Sequence, residues 1–175
     1  MSEPSTSSGS KAQDPGLPLS CECGYIKMRT PSSTPLGTAH CHCTSCRKQS
    51  ASMFGTSVYF PTAKVFPLSE ELESKLSVFR HSTDSGNIMN CYFCPRCGVR
   101  ILHVADMADG SGKRGLTSFK GGVFDDGGID WPSLNTRHIF TQSAVMKLED
   151  GWDCYERYPE SLAVKKEDGK DEKKE

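Results

Sequence analysis

Seven of the nine cysteines fall into three short groups: Cys21-Glu22-Cys23-Gly24, Cys41-His42-Cys43-Thr44-Ser45-Cys46 and Cys94-Pro95-Arg96-Cys97-Gly98. Two thiolates separated by one or two residues in a tight turn can approach one ion together. The zinc–sulfur bond is about 2.3 Å, and a structural zinc takes four ligands in a tetrahedron. Pro95 and Gly98 give the third group the form of a zinc knuckle, in which glycine lets the backbone curl under the metal. The chemistry these residues can do is therefore zinc–thiolate chemistry.

The ligand arithmetic says more. Two closed zinc sites need eight protein ligands, and the three groups supply seven. Two sites would leave one closed by four cysteines and one holding three, with a position free for water or substrate, which is the form of a catalytic zinc. Spacing leaves the pairing open. The two outlying pairs can close one site and leave the C-x-C-x-x-C group three-coordinate, or a neighbour among Cys91, His40, His42 and Cys154 can complete it. By default Cys91 and Cys154 read as small packing residues or free thiols. His42 reads as pointing away from the metal, and His40, His81, His103 and His138 as structural or exposed.

Such groups need elements to hold them, and the local signals favour strands. Ile26 and Met28 alternate with Lys27 and Arg29 within Tyr25–Thr30, the pattern of a half-buried strand. Met53–Phe60 reads similarly, with Phe54, Thr56, Val58 and Phe60 on one side. Leu76–Arg80, Ile88–Phe93 and Val99–Val104 are β-branched or aromatic runs bounded by turn residues, with weaker candidates at Leu116–Phe124 and Arg137–Gln142. Helices are few and short: Ser69–Lys75, capped by Ser69 and opened by Glu70, Glu71 and Glu73, and a turn over Thr44–Gln49. The expectation is a mainly β domain over residues 17–160. With 35% hydrophobic residues its core is modest, so bound metal would help it hold together.

The flanks read as disordered tails over 1–16 and 161–175. The first is rich in Ser, Pro, Gly and Thr, and the second is a run in which five lysines meet five acids. A formal net charge of −1 argues against a general nucleic-acid binder, and no apolar run reaches the roughly 20 residues of a membrane span. The opening ten residues show no basic start and no apolar run, so no secretory signal is read there. Nine cysteines without an export signal suit metal binding rather than disulfides. The expected compartment is intracellular and cytoplasmic, with the nucleus left open.

The order C-x-C-G, C-H-C-x-x-C-R-K, F-C-P-x-C-G resembles the glutathione-dependent formaldehyde-activating enzyme and centromere protein V family. Supporting segments follow in order: Ser85-Gly86, then Phe119-Lys120-Gly121-Gly122-Val123-Phe124-Asp125-Asp126, then Trp131-Pro132 and His138-Ile139-Phe140. The resemblance covers roughly Leu17 to Pro159. Two places depart from the family pattern: Ala51 stands where Gly is usual after C-R-K-x-S, and Val145-Met146 where an aromatic is expected.

The resemblance implies an Mss4-like, zinc-stabilised small β domain with two zinc ions per chain. It assigns Cys21, Cys23, Cys94 and Cys97 to the structural zinc, and Cys41, Cys43 and Cys46 to the catalytic one. It also implies glutathione as co-substrate, added to formaldehyde or another small electrophile, and hence a carbon–sulfur lyase. A zinc with a vacant position binds a thiol as thiolate, whereas a free thiol, with a pKa near 8.5, is mostly protonated at neutral pH. Three thiolates on Zn²⁺ already leave a negative charge. Arg47 and Lys48, with Arg96, are the candidates to balance a fourth or to hold glutathione's carboxylates. The competing expectation is a non-catalytic, zinc-stabilised interaction module of the centromere protein V type. That reading would prefer a long basic segment, and the first eighteen residues hold one lysine, Lys11.

Overall fold

The computed structural model describes residues 14–125, 128–131, 134 and 136–159. The expected C-terminal tail, residues 1–13 of the N-terminal one, and Asp126 and Pro132 of the family segments lie outside the described residues. Among the described residues ten strands form: β1 (Pro18–Ser20), β2 (Lys27–Arg29), β3 (Gly37–Cys41), β4 (Gly55–Pro61), β5 (Ser77–Ser82), β6 (Ile88–Phe93), β7 (Arg100–Asp106), β8 (Leu116–Lys120), β9 (Arg137–Ile139) and β10 (Cys154–Tyr155). The helices are α1 (Thr44–Ser50) and α2 (Glu70–Lys75). Ser69 caps α2 as expected, its side chain accepting from the Leu72 amide. The chain is mainly β with few short helices, as expected.

Eight strands make one sheet in the order β10-β9-β3-β4-β8-β7-β6-β5. β3 through β4, β8, β7 and β6 to β5 pair antiparallel, while β9 runs parallel to both β3 and β10. β1 and β2 form a separate antiparallel pair that meets the rest through a bridge between Leu19 and Phe124.

The two faces bury different things. On one, Leu19 from β1 and Ile26 from the turn before β2 pack with Val58, Phe60, Leu102, Val104 and Phe119. Phe60 and Phe119 are fully buried and meet edge-on at 5.4 Å; full burial is worth about 1.5–3 kcal/mol for such a side chain. On the other face Tyr59, Ala39, Cys41, Leu116 and Ile139 form a second cluster, with Cys43, Cys46, Tyr155 and Tyr158 against it.

Three expectations are corrected here. β4 is not half-buried: Ser57 and Tyr59 are as buried as Val58 and Phe60, because β4 is a central strand with both faces covered. The single strand read over Leu116–Phe124 stops at Lys120 and turns into a 3₁₀ turn over Gly121–Val123. A Cβ at Gly121 would stand 2.5 Å from the Thr56 methyl, so this turn packs too closely to β4 for a larger residue. The strand read over Arg137–Gln142 ends at Ile139, and Phe140 takes a left-handed conformation before another 3₁₀ turn. Strands β1, β3 and β10 are additional to the sequence reading.

Candidate metal centres

The turn between β1 and β2 is built to offer sulfur. The Cys21 amide donates to the Ile26 carbonyl at 3.0 Å, the Gly24 amide returns to the Cys21 carbonyl at 2.9 Å, and the Ile26 amide reaches the Cys21 Sγ at 3.2 Å. The β6–β7 turn mirrors it: the Cys94 amide donates to the Val99 carbonyl at 2.9 Å and the Gly98 amide to the Cys94 carbonyl at 2.8 Å. Gly24 and Gly98 sit at φ 69° and 77°, where a side chain is disfavoured. The Sγ atoms of Cys21, Cys23, Cys94 and Cys97 lie within 4.8 Å of one another. Cys21 to Cys23 is 3.6 Å and Cys23 to Cys94 is 3.7 Å; the edge of a tetrahedron with 2.3 Å zinc–sulfur bonds is about 3.8 Å. Backbone amides of Val99 and Cys23 hold the Cys97 thiol down to about 6, in the range of a thiolate ligand at neutral pH. This donor set fits a closed four-sulfur metal site.

The second group is made by one strand end and one helix start. Cys41 closes β3 and is buried. Cys43 caps α1, its Sγ accepting from the Cys46 amide at 3.4 Å, and Cys46 lies in the first turn. Their three Sγ atoms also lie within 4.8 Å of one another. Gly55 pairs with Cys41 across the β3–β4 ladder and lets α1 approach: a Cβ there would be 3.1 Å from the Cys46 Cβ.

The protons of these three thiols are unequally held. Thiols of Cys41 and Cys46 donate to Cys43 and pull it down to about 2. Cys41, hydrogen-bonded to Cys43 and Cys46 and buried, is pushed far above the ordinary thiol range. Cys46 stands at about 11: its bond with Cys41 draws it down, Cys43 and burial push it up, and the Lys120 ammonium draws it down again. Three close-set sulfurs, one buried and two half-buried, competing for one negative charge are what a cation among them relieves. The set fits a metal with three protein ligands.

Neither His42 nor any other described histidine joins these groups. His42 and His40 flank Cys41 in the chain and turn to the opposite side: His42 Nε2 and His138 Nδ1 are 3.0 Å apart, and His40 Nδ1 is 3.1 Å from Thr56 Oγ1. His138 stacks on Trp152 with ring centroids 4.4 Å apart. A cleft of about 360 Å³ between His40, Thr56, Trp131 and Thr136 opens there, on the sheet face away from the three thiols. Cys91 is buried on β6, with Gln49 Nε2 at 4.0 Å, and Cys154 is exposed on β10.

The sequence-expected cations lie in different places. Arg47 and Lys48 are in the last turn of α1, Arg47 half-buried and Lys48 exposed. Arg96 stacks over the Tyr25 ring at 3.5 Å, between two cysteines of the four-sulfur group. The residue that sequence reading missed is Lys120. It is buried at the end of β8, and its Nζ would be 3.5 Å from a Cβ at Gly55, which puts it beside Cys46. The one signal for it was a lysine closing an otherwise uncharged strand just before Gly121-Gly122.

Two comparisons with known proteins bear on this arrangement. The family model described as glutathione-dependent formaldehyde-activating enzyme matches residues 17–143, a span holding both thiol groups and Lys120. No curated protein matches the chain.

Proposed function

This chain belongs to the glutathione-dependent formaldehyde-activating enzyme family, and from that premise we propose that it is a zinc-dependent carbon–sulfur lyase. Its substrates in this reading are adducts of glutathione with formaldehyde or another small electrophile, handled in a domain spanning 17–160. Cys21, Cys23, Cys94 and Cys97 would hold a structural zinc, and Cys41, Cys43 and Cys46 a catalytic one. The observation that carries the reading is the unequal donor count, four thiols converging at one place and three at the other.

Zinc bound by three thiolates supplies an open position at which a substrate thiol ionises below its free pKa. The chain's own residues do the rest. Cys43 fixes α1 by capping it, so Cys46 is held at a set height above Cys41. Lys120 offsets negative charge gathered at Cys46. Arg47 and Lys48 would receive a carboxylate of the thiol substrate at the outer end of α1. In the synthetic direction the thiolate sulfur bonds to the aldehyde carbon, and the carbonyl electron pair moves to oxygen, which takes a proton. In the lyase direction the adduct hydroxyl gives up its proton, the oxygen electron pair re-forms the carbonyl, and the carbon–sulfur bond breaks with the sulfur keeping its electron pair. A chain with many reduced thiols that uses glutathione belongs in a reducing compartment, and the cytoplasm is the proposed location.

The test is calorimetric titration of the zinc-loaded protein with glutathione and with S-methylglutathione. Binding of the first and not the second is the expected result. No binding of either, with both metals present by elemental analysis, would overturn the lyase reading and leave a metal-stapled interaction module.

A further inference from the structure

Between the first two sulfurs of the three-thiol group stands a histidine whose ring turns away from both. His42 is fully buried, whereas Glu22, in the same middle position of the four-thiol group's C-x-C, is exposed. The four-thiol turns fix their own sulfurs, each through a left-handed glycine and amide bonds that close within the turn. Cys41-His42-Cys43 has no such turn and leaves β3 in extended form. The His42 amide still donates to the Ile139 carbonyl of β9 at 2.9 Å, and Cys43 sits at φ −62°, ψ 153°. In an extended chain alternate side chains share a face, so Cys41 and Cys43 project together only while His42 is held on the other side.

Rings from separate elements hold it there. His42 Nε2 lies 3.0 Å from His138 Nδ1, across 96 residues of chain, with the two imidazoles 20° from parallel. His138 also stacks on Trp152, at 17° and 4.4 Å between centroids, and Phe54 meets the His42 ring at 5.6 Å. The His138 backbone is fixed in turn. It pairs with His40 on β3 and Cys154 on β10, and its amide donates to the Asp153 carbonyl at 2.8 Å. Imidazoles at 0% and 7% exposure carry a desolvation cost that aliphatic side chains in the same space would not, so packing alone does not account for them. What the pair adds is direction: a hydrogen bond inside a protein is stronger than one in water, and it sets the rotation of both rings. The three-thiol site needs this more than its counterpart, because three ligands leave one bond fewer with which an ion organises its own donors.

We propose that His138 and His42 are positioning residues for the three-thiol metal site. The imidazole pair holds Cys41-His42-Cys43 from the reverse face of the sheet, so that both sulfurs reach one ion. The role rests on the three-thiol metal reading above and extends it to residues on the far side of β3. Positioning and packing differ in what they require: positioning needs a polar atom where His138 Nδ1 stands, and packing needs only a flat ring.

Cobalt(II) in place of zinc tests this, because its thiolate charge-transfer and ligand-field bands report sulfur ligation. The Cys43→Ala chain supplies the four-thiol spectrum, and subtracting it from that of the unsubstituted chain leaves the three-thiol one. His138→Phe, which keeps a ring and loses the nitrogen, should bind cobalt at the three-thiol group roughly tenfold or more weakly. Its three-thiol bands should shift while the four-thiol spectrum stays unchanged. His138→Asn, whose side-chain amide can put a polar atom near the place of Nδ1, should restore most of the affinity. If His138→Asn binds cobalt there no better than His138→Phe, the positioning role falls and the metal reading stands. A three-thiol spectrum absent from the unsubstituted chain overturns both. Should His138→Phe lose the four-thiol spectrum as well, Trp152→Ala at the exposed end of the stack decides. A selective weakening at the three-thiol group is expected there, and unchanged affinity overturns the role.

Discussion

Ala51 and Gly55 bracket the exit of α1, one deciding something by its β-carbon and the other by lacking one. Ala51 is the C-cap at φ 49°, ψ 38°, a left-handed conformation that a β-carbon makes costly and glycine does not. Ala51→Gly should therefore stabilise the metal-loaded protein, by about 0.5–1 kcal/mol after the extra unfolded-state entropy of glycine is counted, read as a higher urea midpoint. Gly55→Ala is the opposite case: its methyl would press on the Cys46 β-carbon at 3.1 Å. We expect weaker metal retention at the three-thiol group in chelator competition, with zinc at the four-thiol group unaffected. At this scale the three cysteine groups were legible, because C-x-C and C-x-x-C spacings bring neighbouring sulfurs together through local turns; which groups converge was not, since the turns after β1 and β6 meet across 71 residues. Neither was Lys120. Alternation along Leu116–Lys120 reads its last residue as solvent-facing, and only the neighbours that the sheet order brings to β8 make that position interior.

The elements divide the two thiol groups into different mechanical jobs. Cys21 and Cys23 stand on the turn after β1, Cys94 and Cys97 on the turn after β6, so a metal there ties the small strand pair to the large sheet. Cys97→Ala should lower the thermal midpoint strongly and release the β1–β2 pair, since binding free energy at such a site is folding free energy. Cys43→Ala removes a ligand and a helix cap from an element of seven residues; about 1 kcal/mol of cap stability and the metal of that site should go, with the sheet intact by circular dichroism. Equal losses in the two variants would dissolve the division. Most strands with apolar alternation were visible in the sequence, Ile88–Phe93 to the residue. β3 was not, although it carries Cys41. Gly-Thr-Ala-His-Cys has small residues where a pattern would show, and its partners lie at 55–59 and 137–139. Its identity as a strand is a property of those partners.

Across the whole molecule the histidines make stability depend on pH. Burial, with the charges of His138 and His42, lowers His40 to about 4, and burial lowers His103, His42 and His138 as well. A histidine depressed in the folded state binds fewer protons there than in the unfolded chain, so stability is complete above about 6.5 and falls as pH drops from there towards 4. Urea unfolding of the zinc-loaded protein between pH 7.5 and 5 should show this decline, with a shallower slope in His103→Gln. Identical slopes would assign the acid sensitivity to ligand thiolates instead.

The β3 arrangement also has a consequence in time. A ribosome extends a chain at about 5–20 residues per second, so Cys41, Cys43 and Cys46 emerge roughly 3–10 s before Cys97 does. Three sulfur donors within six residues can seize an ion as soon as they appear, whereas the four-donor set must wait for its second half. β9, the strand that flanks β3, arrives later still. On the proposed two-metal reading, acquisition in the newborn chain would run opposite to mechanical importance: the ion proposed for chemistry would enter first, into a segment whose walls have not yet been made.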